Sequence, residues 1–177
     1  MHNYSLDTRR VFTGKVVRVD EVDLDFKNGQ TATYELVNFD TLTGVSALPV
    51  TATGVILIRH YLAGLDKVGW SLPTGGLNKG EDPKKRMQTE LQEELGYKAG
   101  KLTLMLRAHL MPGYLGSEAG YLFLAQALTP SRLPGDETYD IEVVKLTWPE
   151  VDRLMKDQKI ADARTLLALL WYERHYG

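Results

Sequence analysis

The chain has 177 residues, of which 44% are hydrophobic and 25% charged, the size and balance of one globular domain with a core of its own. A formal net charge of −2 excludes the broad basic surface that general nucleic-acid binding needs. The absence of cysteine excludes disulfides, thiolate nucleophiles and Cys-ligated zinc, and it fits a reducing compartment.

The first residues, Met1-His2-Asn3-Tyr4-Ser5, lack the basic-then-apolar pattern of a secretory signal. No apolar run reaches the roughly 18 residues needed to span a bilayer, so the expectation is a soluble cytoplasmic protein. In chain order, Val11–Val19 and Val22–Phe26 alternate apolar and polar residues as half-buried strands do. Lys27-Asn28-Gly29-Gln30 is a turn signal, and Thr31–Val37 is the returning strand. This N-terminal strand element, residues 1–40, is too small to be stable alone. It must pack on the rest of the chain or on a second copy, and a homodimer is expected. Val45–Val50 and Gly54–Arg59 are the next predicted strands; Val55-Ile56-Leu57-Ile58 is apolar throughout and belongs at the centre of a sheet. Ser71–Gly80, with Pro73, Gly75, Gly76 and Gly80, is a predicted loop. A helix over Asp82–Leu95 follows, then strands over Leu102–Leu110 and Tyr121–Leu128. Thr129–Asp140 is a long polar loop, Glu142–Trp148 a last strand, and Pro149–Asp157 and Ala161–His175 are terminal helices. The pattern predicts an α/β fold, with helices on each side of a mixed sheet.

The helix over Asp82–Leu95 has strong end signals. Asp82 is a good N-cap, Pro83 suits the first helical position, and Gly96 suits a left-handed close. Met87, Leu91 and Leu95 form an apolar stripe. Glu90, Glu93 and Glu94 are neighbours at i, i+3 and i+4, where like charges repel by a few tenths of a kcal/mol per exposed pair. A solvated acidic face is the ordinary reading. A site for Mg²⁺ or Mn²⁺ is the functional one, since these ions take oxygen ligands together with waters and phosphates. The Gly-rich turn Leu72-Pro73-Thr74-Gly75-Gly76 runs into the helix and lets backbone come close to a ligand, which favours a metal–diphosphate site.

These residues resemble the Nudix box: Gly, five residues, Glu, seven residues, Arg-Glu, an aliphatic, any residue, Glu-Glu, any residue, Gly, an aliphatic. Here the match is Gly75, Glu81, then Thr89-Glu90-Leu91-Gln92-Glu93-Glu94-Leu95-Gly96-Tyr97. Thr89 stands where the family has Arg, and Tyr97 is a mild change. The resemblance implies a Nudix fold, an α/β/α sandwich over residues 41–177, preceded by the N-terminal strand element. It implies metal ligation by Glu90 and Glu94, by Glu93 as a further ligand or outer-shell partner with a part in catalysis, and by the backbone carbonyl of Thr74. Glu81 matches a supporting acidic position. The family Arg braces the box glutamates, which Thr89 cannot do; Arg86, four residues before Glu90, is a partial substitute.

Beyond the box, the chain is most similar to the branch of ADP-ribose pyrophosphatases, other nucleoside diphosphate sugar hydrolases and ADP-compound hydrolases. Members carry an N-terminal strand element that often exchanges between the subunits of a dimer. Arg59-His60-Tyr61 resembles a substrate-binding segment of that branch. Trp70-Ser71-Leu72-Pro73-Thr74-Gly75 resembles its Glu-Leu-Pro-Ala-Gly stretch with Ser71 in place of Glu. Pro112, 15 residues beyond Tyr97, resembles a marker of the ADP-ribose group, and Met111-Pro112-Gly113 with Glu118 resembles its Ser-Pro-Gly…Glu loop. The resemblance implies cleavage of ADP-ribose or a related nucleoside diphosphate sugar by water, with Mg²⁺ or Mn²⁺. It points to a general base in the late loop, Glu137 first, with Glu142 and Glu118 in reserve.

Most of these residues have plainer readings as well. Arg59 binds substrate or pairs with a local carboxylate. Trp70 stacks on a base or fills a strand end. Glu137 is a base or a solvated acid, and His60 and His109 read as packing residues. Other substrates remain open: GDP-mannose, NADH or dinucleoside polyphosphates. A third reading is a nucleotide-binding module without turnover, its box decayed at Thr89. No nucleic-acid or membrane partner is expected.

Overall fold

Four apolar residues in a row set the architecture. In the computed structural model, which describes residues 4–39, 43–109, 120–135 and 140–177, β5 (Gly54–Leu62) is buried on both faces. Ile56 and Ile58 face one apolar cluster and Val55 and Leu57 the other. A strand alternates its side chains, so a strand apolar at every position must be covered on both sides. The same division occurs along β9 (Gly120–Pro130), where Phe123 and Ala125 join the first cluster and Leu122 and Leu124 the second.

Ahead of these strands lie β1 (Tyr4–Thr13), β2 (Val17–Phe26), β3 (Thr31–Phe39) and β4 (Thr43–Pro49). After β5 come β6 (Lys67–Ser71), β7 (Thr74–Leu77), β8 (Tyr97–Ala108) and, beyond β9, β10 (Glu142–Thr147). They form two sheets in the body of the fold. One has the order β7-β4-β9-β8 and contains the parallel pair β4–β9; the other is antiparallel, in the order β10-β5-β6. Helix α1 (Pro83–Glu90), prolonged by a π-turn over Leu91–Leu95, supplies Met87, Leu91 and Leu95 to the first cluster. Helices α2 (Trp148–Lys156) and α3 (Ala163–Tyr176) supply Val151, Ala168 and Leu169 to the second. The result is the expected α/β/α sandwich, with the single mixed sheet replaced by two.

The expected boundaries needed several changes. The first hairpin turns at residues 14–16 rather than near residue 20, because Gly14, whose N–H meets the Val17 carbonyl at 2.7 Å, makes the tight reversal. The predicted loop over Ser71–Gly80 contains β7, and β6 lies just before it. Two strands this short and glycine-rich give little periodic signal. Trp148 begins α2 instead of ending β10, because Thr147 and Glu150 form a capping box, Glu150 accepting from the Thr147 N–H at 2.8 Å.

The first three strands form a sheet of their own, β1-β2-β3. Among its described residues only Asp20 and Val22 are buried, while Leu6, Val11, Phe12, Val16 and Tyr34 are exposed. Among the described residues no helix is long and apolar enough to cross a membrane.

Candidate active site

Asp82 starts the helix as expected, its carboxylate accepting from the N–H groups of Lys84 and Lys85 at 2.8 and 3.0 Å. Those two donors hold its pKa below the usual carboxylate range, the Lys85 N–H most strongly. Gly96 closes the far end with φ 75°, a conformation that suits glycine. Between the caps, the apolar stripe fixes the rotation of the helix against the sheet. That rotation turns Glu90 and Glu94 inward, where they are 4% and 6% exposed.

Buried carboxylates need partners. Glu94 Oε2 accepts from the backbone N–H of Thr74 at 2.9 Å. Thr74 is itself fixed: its Oγ1 donates to the Leu72 carbonyl at 3.1 Å and lies 3.0 Å from Ser46 Oγ. Ser46 pairs with Thr74 across the β4–β7 ladder, so the glycine loop is stitched to the sheet on one side and to the helix on the other. Glu90 lies against Gly75 so closely that a Cβ there would stand 1.7 Å from Glu90 Oε1. Only glycine leaves room for that carboxylate.

Arg86 supplies the charge partner. Its guanidinium is ion-paired with Glu90, one turn on. It stands 3.7 Å from Glu93 Oε2 and donates from Nε to the Gly76 carbonyl at 3.2 Å. One side chain thus joins two box acids to the glycine loop. Thr89 takes no part; its hydroxyl donates to the Lys85 carbonyl at 3.3 Å. Glu81 closes the turn before the helix by accepting from the Asn78 N–H at 3.0 Å.

The residues present suit a hard divalent cation. The donors are carboxylate and carbonyl oxygens, and Glu93 Oε2 is buried with no hydrogen-bond donor. No three acid or histidine groups among the described residues are drawn together into a ready cage. Arg86 occupies Glu90 and the Thr74 N–H occupies Glu94, and an ion that keeps several waters and phosphate oxygens does not require such a cage.

The other candidates divide into two groups. Arg59 and Trp70 are cross-strand partners on β5 and β6, with the guanidinium 5.1 Å from the ring centroid. Arg59 Nη1 also donates to Glu142 Oε2 at 2.9 Å, so here Arg59 sits both beside the aromatic face and on a local carboxylate. Trp70 is partly buried against the second cluster. Pro112, Glu118 and Glu137 lie outside the described residues. His60, read as a packing residue, meets Ser71 Oγ at 2.9 Å through Nε2. That pair, diagonal across β5 and β6, and the directly opposed Ser46–Thr74 pair had no signal in the sequence, since each depends on the register of two strands.

The NUDIX domain family model matches residues 40–170. The chain is 30% identical to an ADP-ribose pyrophosphatase of Bacillus subtilis, over 93% of this chain and 89% of the relative. It is 29% identical to the ADP compounds hydrolase NudE of Escherichia coli, over 93% and 88%, and 28% identical to a methanol dehydrogenase activator of Bacillus methanolicus, over 96% and 91%. A crystal structure of an ADP compounds hydrolase superposes with a TM-score of 0.88 at 27% identity, covering 98% of this chain and 94% of that one. With the box acids folded around a glycine loop and a family match over most of the chain, this protein belongs to the Nudix family, as one of its pyrophosphohydrolases.

Proposed function

We propose that the protein hydrolyses the pyrophosphate bond of ADP-ribose or a related nucleoside diphosphate sugar in the cytoplasm, with Mg²⁺ or Mn²⁺, giving a nucleoside monophosphate and a sugar phosphate. The observation that carries this reading is the packing of buried Glu90 against Gly75, with Glu94 tied to Thr74. It makes an acid-lined turn whose partly accessible glycine backbone lets a cation and a diphosphate come close together. The choice of substrate leans on the relatives named for ADP-ribose and ADP compounds.

Glu90, Glu93, Glu94 and the Thr74 carbonyl would hold a divalent cation, which would supply charge neutralisation and a water of lowered pKa. The remaining roles belong to the chain. Arg59 exchanges Glu142 for a substrate phosphate, and Trp70 offers its ring to the base. Pro112 and Glu118 border the bound nucleotide. Glu93 orients the attacking water and Glu137 takes its proton. The water oxygen bonds to one phosphorus, the bridging P–O bond breaks, and the bridge oxygen leaves on the second phosphate.

The test is phosphate-coupled hydrolysis of ADP-ribose, ADP-glucose, GDP-mannose, NADH and Ap3A, with Glu94→Gln as control. Cleavage of a sugar nucleotide is expected, with kcat about a thousandfold lower in the variant, the equivalent of several kcal/mol of charge stabilisation. Turnover of NADH or Ap3A alone would replace the substrate and keep the chemistry. No turnover of any compound would favour a binding module; the Arg86 contacts, which fill the gap at Thr89, weigh against that. We also propose a homodimer, with residues 1–40 as its dimerising element and exposed Leu6, Phe12 and Tyr34 covered by the second copy. Sedimentation of a monomer alone at micromolar concentration would reject it.

A further inference from the structure

The family's arginine is missing at position 89, yet a guanidinium reaches the box acids from position 86. The two positions lie three residues apart, on one face of the helix, but they favour different partners. The i+4 neighbour of position 89 is Glu93, whereas that of position 86 is Glu90. The contacts follow this rule: Arg86 is ion-paired with Glu90 and stands off from Glu93 at 3.7 Å. Its Nε spans to the Gly76 carbonyl at 3.2 Å. Glu90 is therefore held from one side by Arg86 and from the other by the wall of Gly75, and Glu93 Oε2 stands 3.7 Å from the same guanidinium.

We propose that Arg86 is a positioning residue and a built-in countercation. In the metal-free protein it offsets part of the buried negative charge and keeps the glycine loop in register with Glu90. It remains beside the acids when a divalent cation binds, so it weakens that binding while keeping the carboxylate in the place catalysis needs. This rests on the metal-dependent reading above. A displaced guanidinium thus combines two effects that can be separated: its charge acts on metal affinity and its fork acts on turnover.

The experiment measures Mn²⁺ binding to the substrate-free protein by calorimetry or electron paramagnetic resonance, beside kcat, KM and the Tm without metal. Arg86→Gln is expected to bind Mn²⁺ about tenfold more tightly, the order of effect of removing one unit charge close to a divalent ion at water-like dielectric. Its metal-free Tm and its kcat should fall, with KM little changed. Arg86→Lys should return Mn²⁺ affinity to the wild-type value, because the charge is back, and recover kcat only in part. A residue that merely supports the fold would lower Tm and kcat without tightening the ion.

Unchanged or weaker Mn²⁺ binding in Arg86→Gln, with normal binding by the wild type, overturns the proposal and leaves the metal reading intact. A wild type that binds no Mn²⁺ overturns both. If Arg86→Gln does not fold, Thr89→Arg in the otherwise native chain decides. A second guanidinium on the same face should weaken Mn²⁺ binding several-fold, and equal or tighter binding overturns the proposal.

Discussion

Two arginines in this chain each face two acids, and their surroundings give them different consequences. Arg9, on β1, pairs with Glu21 at 2.6 Å and Asp23 at 2.9 Å, while its side chain is 59% exposed. Arg86 faces Glu90 and Glu93 with its side chain 24% exposed and that of Glu90 only 5%. At the surface, water and salt already satisfy both partners, and the pair adds little. In the sandwich, Glu90 has lost its water, so its position depends on the few groups that replace it. Having two acid partners is thus no guide to importance; burial of the acid is.

The sharpest way to break this contrast is to push on the buried acid. Gly75→Ala should displace the Glu90 carboxylate and lower kcat by about tenfold to a hundredfold, the range seen when groups that orient metal ligands are lost. Circular dichroism should still report a folded chain, since the conflict is with the Glu90 side chain, from Cγ to Oε1, and not with backbone. Wild-type kcat in Gly75→Ala would mean that Glu90 has another place to sit.

Acid should reveal the open sheet next. The Asp20 pKa is held low, first by the hydrogen bond from Arg10, and that of Asp23, first by the Thr33 hydroxyl. Helix caps behave likewise: the Thr147 backbone N–H depresses Glu150 most. A carboxylate with a folded pKa below its unfolded one lends stability above the unfolded value and loses it as pH falls toward the folded one. Stability should therefore be flat near neutrality and decline below about pH 4, which a pH series of thermal melts measures. A rise in Tm on acidification would contradict these assignments.

The smallest effect should come from Arg9→Gln. Its Tm and kcat should match the wild type within error, least distinguishable at high salt. A clear loss of Tm would show that Arg9 is covered in the assembled protein, and would implicate β1 in the contact between copies.

Much of the site was legible because its signals are local. Asp82, Pro83 and Gly96 bound the helix, the Met87–Leu91–Leu95 stripe sets its rotation, and three glutamates at fixed spacing follow from both. The i, i+4 relation of Arg86 to Glu90 is equally local. Less legible were β6 and β7, where glycines and a proline hide the alternation of a strand. Sheet order was not legible either: the apolar runs that identify β5 and β9 do not tell which strand lies beside which. The pairing of Ser46 with Thr74 and of His60 with Ser71 belongs to that non-local class, as does the meeting of Arg59 and Glu142, 83 positions apart.

The parallel pairing of β4 with β9 joins Val45 to Tyr121 and Pro49 to Ala125. Parallel neighbours need a long crossover, and the segment making this crossover contains the whole box, Gly75 to Tyr97. The acids are therefore carried on the connection between two adjacent strands. Closing that connection carries an entropic cost, since it brings together strands that are distant along the chain. The glycine turn and the sheet are consequently linked through one segment, since β7 pairs with β4 at one end of the crossover and β8 with β9 at the other.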